Sequence, residues 1–95
     1  MEQNKHVVYM LQCRDGSLYT GYTNNLRKRL EAHNAGRGAK YTKGRGPVQL
    51  VYLRRFTTKK EAMQEEYRLK KLPRSQKQRL IKEAHDDPAV QLSSF

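Results

Sequence analysis

The stretch "SLYTGYTNNLRKRLEAHN" puts Tyr19, Gly21 and Tyr22 on a strand-like segment, and Arg29 and His33 one turn apart on the helix-like segment that follows. Phenols and imidazoles pass protons, and a guanidinium grips phosphate or carboxylate oxygens with a planar fork. Tyr9 lies in an otherwise apolar segment, and Glu66 falls by helical angle in the middle of an apolar stripe. One carboxylate can hold a Mg²⁺ or Mn²⁺ ion whose other positions are filled by water and substrate oxygens. Each residue also has an ordinary explanation. Strand tyrosines keep a wet hydroxyl, arginines snorkel, and Glu66 can pair with Lys59 or Lys70. A chain of 95 residues, however, has few core positions to spend on polar groups.

The charge balance narrows the class of partner. Lys plus Arg number 20 against 9 Asp plus Glu, a formal net charge of +11 with a pI near 10.1. Such a surface fits a polyanion, with nucleic acid ahead of anionic membrane. The positive charge concentrates in 36–46 and 68–82. Cys13 is the one cysteine, so no internal disulfide forms, which fits a cytoplasmic location; its apolar segment makes it buried filler. His6, His33 and His85 are far apart and lack zinc-site spacing. No apolar run reaches membrane-spanning length, and no signal-peptide pattern opens the chain. A single domain over 1–85, with 86–95 as a flexible tail, is expected.

The elements that must position these residues follow from patterning. "HVVYMLQC" (6–13) is β-branched and aromatic, and "SLYTGYT" follows after Arg14-Asp15-Gly16, a hairpin signal. A two-residue turn sets Tyr9 and Tyr19 on opposite faces. A three-residue loop sets Val7, Tyr9, Leu11, Tyr19 and Gly21 on one. Asn24 or Asn25 caps a helix that ends at Gly36, with Leu26 and Leu30 inward and Arg29 and His33 beside them. "VQLVYLRRF" (48–56) is apolar at nearly every position up to Leu53, as in a central, doubly buried strand. Thr58 and Glu61 form a capping box for a second helix with Ala62, Met63, Leu69 and Leu72 inward. Ser75 and Gln78 form another, opening a third helix with Leu80, Ile81 and Ala84 inward. The order β-β-α-β-α-α gives an α+β sandwich: a three-stranded, mostly antiparallel sheet with flanking helices.

"VVY" at 7–9 and, ten residues on, "YTG" at 19–21 resemble the paired motif of the GIY-YIG nuclease superfamily. Arg29 stands where the family carries its catalytic arginine, His33 where a histidine is common, and Glu66 where the metal-binding glutamate lies. The similarity runs from about residue 6 to 82, in small stand-alone bacterial form. It implies metal-dependent endonuclease hydrolysis of nucleic-acid phosphodiesters, with DNA repair or recombination as the setting. Tyr9, Tyr19, Arg29, His33 and Glu66 are then catalytic, and Glu66 binds one Mg²⁺ or Mn²⁺. The family's single site requires both tyrosines on one face, hence the three-residue loop. A site with Arg29 and a divalent ion should lower a tyrosine pKa toward a working base, with Tyr19 favoured. Gly21 should admit a nucleic-acid backbone, and Arg37, Lys40, Lys43, Arg45, Lys70, Lys71 and Arg74 should grip phosphates, with Tyr41 stacking on a base. Two departures stand out. Val7-Val8 replace the motif's Gly-Ile, and the asparagine many family nucleases carry near the end is absent, with Ser75, Gln76 and Gln78 the nearest polar residues. That absence raises an alternative: a nucleic-acid-binding module that keeps the fold without turnover. A protein partner is expected to supply specificity, and the oligomeric state is not fixed by the sequence.

Overall fold

A computed structural model describes residues 5–36, 44 and 46–84. The elements are β1 (His6–Gln12), β2 (Leu18–Thr23), α1 (Leu26–Asn34), β3 (Gln49–Phe56), α2 (Lys59–Lys70) and α3 (Arg74–Ala84). The α+β class and the order β-β-α-β-α-α agree with the sequence pattern. Both strand pairings are antiparallel, in the order β2-β1-β3. No helix among the described residues is long and apolar enough to cross a membrane.

The β1–β2 connection is the three-residue loop. The Cys13 amide donates to the Ser17 carbonyl at 2.8 Å, and Gly16 bonds back to Cys13 with φ +87°. A glycine accepts that left-handed φ without steric cost. The Asp15 carboxylate takes hydrogen bonds from the Ser17 amide and hydroxyl. The register then sets Tyr9 against Gly21 and Leu11 against Tyr19. Val7, Tyr9, Leu11, Tyr19 and Gly21 therefore share one face.

β3 departs from expectation. It is an edge strand, and β1 is the centre, with Val7 to Leu11 at most 1% exposed. Its continuous apolar run comes from a bulge. Met10 pairs with Tyr52 but Leu11 pairs with Leu50, leaving Val51 as the extra residue. Leu50 and Leu53 consequently pack on one face of the sheet, and Val51 and Tyr52 on the other.

The two faces have separate cores. α1 covers the first, where Leu30 and Leu26 pack on Val7, Tyr9, Leu11 and Leu53. Cys13 is buried there too. α2 and α3 cover the second, where Ala62, Leu69, Leu80 and Ile81 pack on Val8, Met10 and Tyr52. Asn25 caps α1 by accepting from the Lys28 amide, and Gly36 (φ +79°) ends it with a bond to the His33 carbonyl. Thr58 caps α2 through the Glu61 amide. Glu65 ties α2 to β3 through Arg54 and also takes two bonds from Arg68, which holds its carboxyl below the usual range.

Two helix details are corrected. Met63 is 41% exposed, outside the buried stripe. α3 begins at Arg74, with the Gln76 and Lys77 amides bonded to the Pro73 carbonyl, so Ser75 lies inside the first turn and is no cap. Proline's fixed φ suits it to a helix start, and its carbonyl opens the ladder here.

Candidate active site

Tyr9 anchors the site from the middle of the central strand. Its side chain is fully buried, and its phenol lies across Gly21 of β2. A Cβ on Gly21 would sit 2.6 Å from the Tyr9 Oη and 2.9 Å from the Tyr19 ring. The bare glycine therefore makes room for the tyrosine. This corrects the expectation that Gly21 admits a nucleic-acid backbone: Gly21 is buried, and Tyr9 fills the space beside it.

α1 supplies the partners. One turn separates Arg29 from His33, so both reach the tyrosine face. His33 is 1% exposed, its Nε2 stands 3.0 Å from the Tyr9 Oη, and its ring centroid lies 5.2 Å from that of Tyr19. The two phenol rings are 6.3 Å apart. Arg29 lies within hydrogen-bonding reach of both phenols, and that interaction raises its own pKa further. Arginine can only donate, so the Tyr9 oxygen accepts from it and the phenol proton is left for His33. With Nε2 accepting, the remaining imidazole proton belongs on Nδ1.

The charge states follow from burial. Tyr9 is pushed up to about 12, chiefly by desolvation, and the opposing hydrogen bond from Arg29 does not offset it. His33 is pushed down to about 4 by burial and by the Arg29 charge. Near neutrality both are uncharged. Arg29 alone does not lower the Tyr9 pKa, because desolvation wins. The Nε of Arg29 is buried with no hydrogen-bond partner.

Glu66 comes from the opposite layer. It lies between Ala62 and Leu69 on the packed stripe of α2, with its side chain 15% exposed and its carboxylate 3.2 Å from Lys70 Nζ. α2 packs along β1 and β2, and β2 is an edge strand. The phenol of Tyr9 lies over that same strand, and the Glu66 charge contributes to raising its pKa. Tyrosines and acid thus approach from the two sides of one sheet edge. Among the described residues no three His, Cys, Asp or Glu side chains cluster as a metal cage. A lone, half-buried carboxylate fits a magnesium-like ion that keeps most of its water, with Lys70 its present counter-charge.

The other expected contacts are dispersed. Arg74 donates to the Gly16 carbonyl at 2.8 Å, which fastens the start of α3 to the β1–β2 loop. Lys71 places its Nζ 4.2 Å above the Tyr67 ring. Ser75, Gln76 and Gln78 are exposed on α3. Arg37, Lys40, Tyr41, Lys43, Arg45 and the tail 86–95 lie outside the described residues. Sequence reasoning passed over two features. One is a second tyrosine–histidine pair, Tyr22 Oη to His6 Nδ1 at 2.8 Å, which the three-residue loop would have revealed. The other is Tyr67, 63% exposed beside Met63.

Comparison with known proteins gives a consistent answer. The GIY-YIG catalytic domain matches residues 5–79. A UPF0213 protein of Oceanobacillus iheyensis is 62% identical over 77 residues, spanning 81% of this chain and 90% of that protein. A UPF0213 protein of Bacillus subtilis is 54% identical over 83 residues, spanning 87% of this chain and 84% of that protein. The solution NMR structure of a UPF0213 protein from Bacillus halodurans superimposes with a TM-score of 0.58 at 44% identity, covering 95% of this chain and 98% of that one. A solution structure from E. faecalis gives 0.59 at 44% identity, covering 90% and 92%.

Proposed function

This chain belongs to the GIY-YIG catalytic domain family, and from that premise we propose that it is a metal-dependent endonuclease that hydrolyses phosphodiester bonds in DNA. The observation that carries the reading is convergence: Tyr9, Tyr19, Arg29 and His33 meet on one sheet face, with Glu66 in electrostatic reach. Nucleic acid as the partner is further supported by the net charge of +11.

The residues divide the work. Glu66 would hold one Mg²⁺ or Mn²⁺, which would neutralise charge on the phosphate and the leaving oxygen. Arg29, anchored by both phenols, turns its remaining N–H groups to the non-bridging oxygens as they gain charge. Tyr9 is fully buried and uncharged, so it serves as a fixed strut that orients Arg29 through one bond and His33 through another. Tyr19 is only half-buried, and it is the phenol that meets solvent. A water oxygen bonds to phosphorus as the bond to the leaving oxygen breaks. Tyr19 gives its own phenol proton to solvent and, as the phenolate, takes the proton of that water, while bulk water protonates the leaving group. Lys70, Lys71 and Arg74 add sequence-independent grip, with Arg37, Lys40, Lys43 and Arg45 as further candidates.

The test is incubation of branched, flapped and plain DNA with Mg²⁺ or Mn²⁺, using Glu66→Ala as control. Cleavage by the natural chain, lost in Glu66→Ala with binding nearly unchanged, is expected. Equal cleavage by both proteins points to a contaminant and removes the reading. Binding without cleavage by either, under both metals, assigns the chain to the non-catalytic alternative.

A further inference from the structure

One stripe of α2 has no part in the packing or in the catalytic set. Lys59, Met63, Tyr67 and Lys71 follow each other at four-residue intervals, so they line one side of the helix over about 18 Å. Met63 and Tyr67 are the exposed large hydrophobics among the described residues, at 41% and 63%. The Nζ of Lys71 sits 4.2 Å from the centre of the Tyr67 ring, so the ring already carries a cation. Beside this pair, one residue earlier on the same helix, runs the Glu66–Lys70 ion pair at 3.2 Å. The two pairs are parallel, one ionic and one cation–π, each spanning a single turn.

We infer that Tyr67, flanked by Met63 and held under Lys71, is a stacking platform for an unpaired base of single-stranded or branched nucleic acid. The inference rests on the nuclease reading, since it places that base one residue from Glu66. Charge selects the occupant. From Arg68 through Lys82 seven residues are Lys or Arg and none is Asp or Glu, so a polyanion is drawn to this end of the molecule. An apolar protein surface would gain from Met63 and Tyr67 but would have to bury unpaired lysines at both ends of the stripe. A nucleic-acid strand uses all four: a base stacks on the ring and thioether, and phosphates take Lys59 and Lys71. In an intact duplex the bases stack on each other and offer no free face. The platform therefore favours strands with unpaired bases.

The natural chain has no tryptophan, so Tyr67→Trp installs a single fluorescent reporter. A dye-labelled oligonucleotide, single-stranded or in duplex form, is titrated with EDTA present to prevent cutting. Anisotropy reads binding and tryptophan emission reads stacking. Expected are quenching by the single strand but not by the duplex, and about ten-fold weaker single-strand binding for Tyr67→Ala. Tyr67→Ala should keep the salt slope of the natural chain, whereas Lys71→Ala lowers that slope by about one. Circular dichroism of Tyr67→Ala should match the natural chain, because the ring is exposed. Binding without quenching overturns the platform and leaves the nuclease reading intact. Equal quenching by duplex overturns the preference for unpaired bases. No binding of either oligonucleotide removes the nuclease reading along with it.

Discussion

The two faces of the sheet carry the same pair of side chains in different settings. On the α1 side, Tyr9 and His33 meet at 3.0 Å, both fully enclosed, with Arg29 bonded to the phenol. On the α2 side, Tyr22 and His6 meet at 2.8 Å, half-buried and stacked, their rings 13° from parallel. Chemistry of the pair is thus not what marks a site. Enclosure and a fixed cation do that: they hold Tyr9 protonated and His33 neutral and leave each with a defined donor or acceptor role. The second pair closes the end of a hydrophobic layer.

The first face is most vulnerable at Gly21. Gly21→Ala drives a methyl group into an enclosed phenol that cannot swing aside, and we predict a loss of about 3 kcal/mol in urea unfolding. Retention of full stability would show that the ring has room to move. Acid comes next. The unfolded imidazole, at about 6.5, takes up a proton that folded His33 refuses until about 4. Stability should be complete above pH 6.5, fall by up to about 3 kcal/mol as pH drops toward 4, and then level off. His33→Phe should flatten that limb in pH-dependent melting. At the other end, Tyr9 keeps its proton to about 12 while the unfolded phenol loses it near 10, so stability should decline between those values.

Paired phenylalanine variants measure the two faces directly. Tyr9→Phe leaves His33 Nε2 buried without its partner and should cost about 2 kcal/mol; Tyr22→Phe, whose His6 is closer to solvent, should cost about 1. Equal losses would show that enclosure does not distinguish the pairs. The smallest change is on the α2 side. The Thr20 hydroxyl is buried with no partner, so Thr20→Val should leave the melting temperature unchanged or raise it slightly.

Much of the frame was readable in the sequence. Element order, the Thr58 cap and a cap at Asn24 or Asn25 follow from short-range patterns, whereas the grouping of Tyr9 and Tyr19 with Arg29 and His33 depends on a loop length that patterning leaves open and that the family resemblance supplied. Three things were not readable, for physical reasons. The bulge at Val51 gives an edge strand the continuous apolar run of a central one, and periodicity cannot separate the two. The role of Gly21 depends on where a ring from the neighbouring strand comes to rest. The Tyr9 pKa depends on a contest between desolvation and Arg29, whose outcome is set by packing depth.

The link closed by Gly16 has a genetic corollary. Substitution of the exposed Arg14 should be nearly silent, whereas loss or gain of a single codon in the link inverts the side of the sheet from which every later β2 side chain projects. Such an indel would leave each motif letter in place and still yield a protein whose two phenols never meet. Natural variation in this link should therefore come in steps of two residues.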